Sequence, residues 1–222
     1  MGTILWSQEG KREEWPREVR GLLESRRPCP FTLLEATLSA PTVVTYLAGW
    51  VASSQRLVLY IDAVNAFDPY LVSLLAQRRG RDPLELLQRI LISRPFTCYQ
   101  LQTLLQDRVE AAIEEKGAGL VILSGIVDLL LDPAVRDWEA KRIMGKVLEA
   151  IGRVRIERGI PFLATQWVGG DRRRRTSLLL WAEREAQVVG HLEELARIPR
   201  QAGQKERKAG VLRGSWRWST RL

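Results

Sequence analysis

Short apolar runs rich in Val, Ile and Leu recur along this chain and alternate with longer segments that carry helix start and stop signals. Their hydrophobicity is continuous rather than alternating, which is typical of strands buried on both faces of a parallel sheet. Strands that alternate with helices predict an α/β fold, with a doubly wound, mainly parallel sheet and helices on both faces. The strand candidates are residues 31–35, 56–61, 90–93, 119–123 and 160–165, and two later runs, 186–192 and 211–218, predict a C-terminal antiparallel edge.

Three Asp-Pro pairs mark predicted helix starts, because Asp is a good N-cap and Pro suits the first helical turn. Thr97 and Gln100 form a capping-box pattern, which predicts a further start. Glycines that suit the left-handed conformation close three of these segments. The predicted helices are residues 43–51, 69–79, 83–88, 97–116 and 133–158.

The chain divides by composition into three parts. The strand and helix candidates fill a core, residues 31–195, and a polar leader, residues 1–30, precedes it. Residues 196–222 form a basic C-terminal segment that ends in a terminal strand. Parallel α/β sheets bind ligands at the carboxyl ends of their strands. The residues that follow each strand are therefore the candidates for chemistry.

Positive charge is concentrated in two places. The chain has 34 Lys and Arg against 26 Asp and Glu, a net charge of +8. The segment 171–175 (DRRRR) carries +3, and residues 197–222 hold eight basic residues against one Glu, so the rest of the chain is close to neutral. Localised positive charge favours a polyanion partner such as nucleic acid. A solvated loop and a frayed tail would give the same pattern.

Several functional classes are disfavoured by composition. Only Cys29, Cys98 and His191 offer thiol or imidazole groups, which argues against a disulfide framework, a zinc site and a His-based catalytic triad. We therefore expect no metal. No apolar run approaches the ~20 residues of a membrane span, and the N-terminus has no signal-peptide core. We expect a cytoplasmic protein with no membrane partner.

Four segments at predicted strand ends resemble the RecA/RadA-type recombinases, in the order in which that family has them. They are residues 57–69 (LVLYIDAVNAFDP), 93–101 (SRPFTCYQL), 120–124 (LVILS) and 162–166 (FLATQ). The resemblance spans roughly residues 31–192 and implies a RecA-like core. No single motif is specific, and the inference depends on their order.

The nucleotide-binding motifs of that family are altered here. The P-loop, G-x-x-x-x-G-K-[ST], matches residues 35–42 (EATLSAPT), in which only Thr42 fits and Pro41 stands where Lys would contact phosphate. Ser124 matches the Walker-B acid and Val64 the glutamate that orients water, whereas Asp62 and Gln166 are retained. The resemblance thus implies a degenerate nucleotide site formed by Ser39, Ala40, Pro41, Thr42, Asp62, Val64, Ser124 and Gln166.

Phosphoryl transfer needs the lysine, the metal carboxylate and the water-orienting group together. Their absence predicts a pseudo-ATPase that is not an enzyme and uses no cofactor. In the family, the strand that ends in Gln precedes a DNA-contacting loop, so residues 167–175 are expected to form such a loop. The resulting DNA-binding candidates are Trp167, Arg172, Arg173, Arg174, Arg175, Lys205, Arg207 and Lys208. A core position for Trp167 stays an open alternative.

These features predict a non-catalytic accessory factor in homologous recombination or DNA repair. Its expected partners are DNA, with single strands favoured, and a RecA-like recombinase or further copies of itself. One alternative is a regulator that contacts only proteins, as the SOS division inhibitor does, which resembles a RecA-fold protein without a P-loop. Another is an active DNA-dependent ATPase with a divergent phosphate site.

Overall fold

A computed structural model describes residues 2–3, 29–36, 40–167, 172–193 and 215–220, with side chains over 29–35, 42–166 and 174–190. The strands that it describes form one eight-stranded sheet in the order β1-β8-β7-β2-β6-β5-β3-β4. The strands are β1 (Gly2–Thr3), β2 (Phe31–Ala36), β3 (Leu57–Asp62), β4 (Ile90–Ser93), β5 (Ala118–Ser124), β6 (Phe162–Trp167), β7 (Val188–Glu193) and β8 (Ser215–Thr220).

Six neighbouring strands, from β7 through β4, pair in parallel. At the other side β8 pairs antiparallel with β7, and β1 pairs antiparallel with β8. The predicted α/β class is confirmed, as is the antiparallel C-terminal edge. The predicted leader and basic C-terminal segment lie largely outside the described residues, so the division into three parts stays a prediction.

Helices connect the parallel strands. They are α1 (Ala40–Ser53), α2 (Pro69–Arg78), α3 (Pro83–Gln88), α4 (Cys98–Thr103), α5 (Val109–Lys116), α6 (Asp137–Ile156) and α7 (Arg172–Glu185). A π-helical turn, Leu104–Arg108, joins α4 to α5, and a short 3-10 helix, Asp128–Leu131, precedes α6. No helix in the described part of the chain is long and apolar enough to cross a membrane.

Three of the predicted caps are present. The side chains of Asp68 and Asp82 accept hydrogen bonds from the second residues of α2 and α3, at 2.9 and 3.0 Å. Thr97 Oγ1 accepts from the Gln100 N–H at 3.2 Å, so α4 begins where the capping-box pattern places it. These caps satisfy backbone N–H groups that a helix start would otherwise leave without partners.

The helix predicted to open at Pro133 instead begins at Asp137. Asp132 Oδ1 accepts a hydrogen bond from the Ala134 N–H at 2.8 Å, two residues along. An Asx turn of this kind uses the same side chain that would cap a helix, and it competes with helix initiation. Asp132 and Pro133 therefore form a turn, and α6 begins four residues after Pro133.

The inner strands β2, β3, β5 and β6 are buried on both faces. One core cluster includes Leu34, Val58 and Leu163 and packs against α1 to α3. The other includes Leu33 and Val121 and packs against α4 to α7. Successive strand residues face opposite clusters, which explains the continuous apolar runs in the sequence. Most of the buried polar side chains on the inner strands, namely Glu35, Asp62, Ser124, Thr165 and Gln166, lie at the carboxyl ends, where the candidate site lies.

Candidate functional site

Four polar residues lie at the carboxyl ends of four neighbouring strands. Glu35 of β2 pairs in register with Gln166 of β6, and Asp62 of β3 pairs with Ser124 of β5. We call this set the carboxyl-edge residues. All four are buried. Such an edge is where a parallel α/β sheet presents functional groups.

The segment that matches the P-loop lies between the end of β2 and the start of α1. Ser39 lies outside the described residues. Ala40 and Pro41 are the first two residues of α1, and their side chains are not among those described. Thr42 follows them in the first turn and is half-buried. The order is therefore that of a strand, a connection of three residues and a helix, with none of the P-loop glycines.

The Asp62 carboxylate accepts hydrogen bonds from three donors. Its Oδ1 accepts from the Ala66 N–H at 2.9 Å, and its Oδ2 accepts from the Phe67 N–H at 3.1 Å. The Arg94 Nε donates to Oδ2 as well, at 3.2 Å, and the Asp62 side chain is 0% exposed. The carboxylate thus closes the turn after β3 and is neutralised there by Arg94.

Tyr60 fills the space beneath this turn. Its ring meets that of Phe67 edge-on, with centroids 5.0 Å apart and planes at 73°. Burial raises the pKa of Tyr60 to about 12, although the neighbouring hydroxyls of Thr45 and Ser124 act to lower it. Ser124, which stands at the Walker-B position, therefore lies beside a buried phenol rather than at a water-filled edge.

Gln166 and Thr165 fix the loop that follows β5. The Gly125 and Ile126 N–H groups donate to the carbonyl oxygen of Thr165, at 3.2 and 2.9 Å. Gln166 Oε1 accepts from the buried Val127 N–H at 3.2 Å. The side-chain amide that would sense nucleotide in the family here joins the end of β6 to residues 125–127.

Val64 packs against the same loop. Gly125 has φ +85°, and a Cβ atom added there would lie 2.4 Å from Val64 Cγ1. A side chain at residue 125 would therefore be both strained and obstructed. At the position of the family's water-orienting glutamate, an apolar side chain fits over a glycine of the next loop.

The expectation of a loop through Arg175 is wrong, because α7 begins at Arg172. Arginine has a high helix propensity, and the buried Leu178 and Ala182, four residues apart, hold one face of the helix against the core. Residues 172–175 therefore form the first turn of α7, and only residues 168–171 remain between it and β6.

Two of these arginines are directed at carboxylates of the preceding elements. Arg174 Nε lies 3.3 Å from Asp137 Oδ1 at the start of α6, and Arg175 Nη2 lies 3.8 Å from Asp128 Oδ1. Their side chains are only 17% and 11% exposed. Both acids were missed by sequence reasoning, since they lie more than thirty residues upstream and no local pattern links them to the arginines.

Asp128 connects the carboxyl edge to α7. Burial raises the pKa of this carboxyl group, and the Arg175 cation is the strongest influence that lowers it, followed by the backbone N–H of Asp128 and by Gln166. The chain of contacts from Gln166 through Asp128 to Arg175 ties the end of β6 to the first turn of α7. Arg175 thus connects the first turn of α7 to the 3-10 helix after β5.

The remaining DNA-binding candidates are described only in part or not at all. Trp167 is the last residue of β6, and Arg172 and Arg173 are the first of α7, but their side chains are not among those described. The candidates Lys205, Arg207 and Lys208 lie outside the described residues. Within the described part of the chain, no three His, Cys, Asp or Glu residues are grouped so as to hold a metal ion.

The mainly parallel sheet, its helices on both faces and the polar residues at its carboxyl edge define a RecA-like α/β protein. Comparison with models of protein families identifies the family. The Rad51 family model matches residues 36–206, so the chain belongs to the Rad51 family of RecA-like recombinases. No curated protein matches it significantly. The family relates the chain to recombination and repair, and its members bind DNA and self-associate.

Proposed function

We propose that this protein is a non-catalytic accessory factor of homologous recombination or DNA repair, which binds DNA and associates with an active recombinase. The observation that carries the proposal is the state of Asp62, the one retained carboxylate of the nucleotide site. Two backbone N–H groups and Arg94 already occupy its oxygens. It serves the fold, and the motif positions of the lysine and of the metal carboxylate, which together would hold a metal-bound triphosphate, are occupied by Pro41 and Ser124.

The neighbouring positions support the same conclusion. Val64 offers no acceptor for an attacking water and is packed on Gly125. Ser124 is neutral and buried. Catalysis of phosphoryl transfer depends on electrostatic stabilisation by several groups at once, so the loss of each one lowers the rate by orders of magnitude.

DNA binding is proposed for the first turn of α7 and the basic C-terminal segment. Phosphate contacts supply most of the non-specific affinity for nucleic acid, and they require positive charge rather than a particular sequence motif. Residues 171–175 carry a net charge of +3. The helix α7, which begins at Arg172, starts on the side of the sheet where the parallel strands end. A single strand is the favoured partner because exposed aromatic side chains, such as Trp138 at 60%, lie on the same side.

Association with a recombinase is proposed at β4. Among the described strands, β4 is the last in the sheet and pairs with β3 alone, so no described residue covers its other edge. Leu91 and Ile92 are 36% and 41% exposed. An open edge with apolar side chains accepts an added strand from another chain. We propose that the added strand comes from a second RecA-like subunit, because members of the family self-associate.

The experiment is a fluorescence anisotropy titration of a labelled single-stranded oligonucleotide across a salt series, with and without Mg-ATP. We expect binding that weakens linearly with log salt and is unchanged by ATP. Replacement of Arg172 to Arg175 by Ala should reduce the salt slope by about 2 units, since each phosphate contact to a single strand contributes about 0.7. An effect of ATP on affinity would reject the pseudo-ATPase assignment and favour a divergent active ATPase.

The open edge of β4 also favours a second candidate, a regulator that contacts only a protein partner. The same titration separates the two. A protein that shows no oligonucleotide binding at low salt, but still co-elutes with a RecA-like recombinase, would be such a regulator. Retained recombinase binding by the Arg172 to Arg175 replacement would then show that the basic turn is dispensable.

A further inference from the structure

A cleft lies between α6 and α7, beside the first turn of α7. Its volume is about 160 Å³, and its lining residues are Asp137, Ala140, Lys141, Arg174, Ser177 and Leu178. Two cations and a hydroxyl group therefore face one small space, with a single carboxylate at its rim. This combination is suited to an anion with several acceptor oxygens.

Arg174 is incompletely satisfied in this cleft. Its Nε and Nη2 atoms are buried and have no hydrogen-bond acceptor among the described residues, although Asp137 Oδ1 lies 3.3 Å from Nε. Buried donors without partners are uncommon and costly in folded proteins. The Asp137 side chain is 77% exposed, so its hold on Arg174 is weakened by solvent. The positive charge of Arg174 is thus balanced only by an exposed carboxylate, and its buried donors are left without an acceptor in the described part of the chain.

Arg175, the next residue, differs from Arg174. It is directed at Asp128, whose carboxyl group is buried and connected to Gln166. The two arginines are equivalent in the sequence, but Arg175 faces inward and Arg174 lines the cleft. Lys141 is exposed, and no carboxylate among the described residues lies within ion-pair distance of its Nζ.

We propose that the α6–α7 cleft binds a backbone phosphate of a nucleic-acid strand, with Arg174 and Lys141 as its cationic contacts and Ser177 as a hydroxyl donor. The proposal rests on the DNA-binding function proposed above and assigns that function to particular residues. Trp138, adjacent to Asp137 and 60% exposed, offers a ring on which a base next to that phosphate would stack. Asp137 competes with the phosphate for Arg174.

The test uses the full chain and a labelled single-stranded oligonucleotide of thymidines, titrated by anisotropy across a salt series. Arg174→Gln and Lys141→Gln should each weaken binding about tenfold and each lower the salt slope by about 0.7. Asp137→Asn should strengthen binding at least about twofold, because it frees Arg174. Arg184→Gln, which removes the same charge from the far end of α7, is the matched control and should change affinity by less than about twofold.

The sign of the Asp137→Asn effect is the sharpest criterion. If the Arg174–Asp137 pair were only structural, this variant would lower the melting temperature and leave affinity unchanged or weaker, which would overturn the proposal. Lys141→Gln keeps the test valid should Arg174→Gln fail to fold, since Lys141 is exposed.

The wild-type protein separates this proposal from the function on which it rests. No oligonucleotide binding by the wild type would refute the proposed function. Binding that is lost when Arg172 to Arg175 become Ala, but is unaffected by Lys141→Gln and Arg174→Gln, would refute only the cleft. Thermal stabilisation by inorganic phosphate that depends on Lys141, without any effect of Lys141→Gln on oligonucleotide binding, would identify a site for free phosphate and also overturn the proposal.

Discussion

Val64 lies against Gly125, with its Cγ1 2.4 Å from the point that a Cβ atom on this glycine would occupy. The contact joins the turn after β3 to the loop after β5. A side chain at residue 125 would displace Val64 and strain the backbone, which has φ +85°. The altered glutamate position is therefore part of the packing of this edge.

Gly125→Ala should destabilise the protein by more than about 2 kcal/mol, because it adds a steric clash to the cost of a left-handed backbone. Gly117→Ala is the matched control. Gly117 has φ +71° but nothing within 4 Å of its Cβ position, so only the backbone cost of about 1 kcal/mol applies. Urea denaturation measures both. Equal losses for the two variants would show that Val64 does not restrict residue 125.

Asp62→Ala should cost about 3 kcal/mol, since it leaves two backbone N–H groups and Arg94 without their acceptor in a buried site. Oligonucleotide affinity should be unchanged in the folded variant. Asp107→Ala removes an exposed carboxylate and should stay within about 0.5 kcal/mol of the wild type. A fully stable Asp62→Ala protein would mean that the turn after β3 does not depend on this side chain.

Glu35 makes the stability of the folded protein depend on pH. Burial raises its pKa from 4.5 to about 7, with further contributions from a hydrogen bond to Glu183 and from the charge of that residue. The folded state therefore binds a proton more tightly than the unfolded state. This group favours folding most at low pH, and its contribution is lost as the pH rises from about 4.5 through about 7.

Glu35→Gln should accordingly stabilise the protein relative to the wild type at pH 8 and have little effect at pH 4.5. The exposed Glu114→Gln, at the surface of α5, is the control for the loss of a carboxylate elsewhere on the protein. Thermal melts of the three proteins at both pH values measure the effect. A wild-type melting temperature that rises from pH 4.5 to pH 8 relative to that of Glu35→Gln would contradict the assignment.

Much of the fold is encoded locally. The apolar runs at β3, β4 and β5 predict those strands to within a residue or two, because burial on both faces leaves a continuous signal. The Asp-Pro pairs at α2 and α3 predict their first residues, since cap and first turn are adjacent in sequence. The strand ends then indicate which polar residues share the carboxyl edge.

The sequence did not predict the start of α6 or the ion pairs of α7, and both failures have the same physical cause. Asp132 has the sequence of a helix cap, but its side chain is used in an Asx turn, and α6 starts five residues later. Arg174 and Arg175 look alike in the sequence, and their different environments arise from Asp137 and Asp128, which the tertiary fold brings to them. Contacts between distant segments decide such cases, and a single sequence carries no direct record of them.

The open edge of β4 leads to a last prediction. Ile92→Lys should abolish association with a RecA-like recombinase, or with further copies of this chain, because a charge on an exposed edge opposes strand addition. Leu84→Lys, on α3 and 59% exposed, places the same charge off the strand and is the control. Sedimentation velocity measures association, and melting temperatures should change little for either variant. Undiminished association of Ile92→Lys, or equal loss for both variants, would exclude β4 as the contact and leave the antiparallel side of the sheet as the next surface to test.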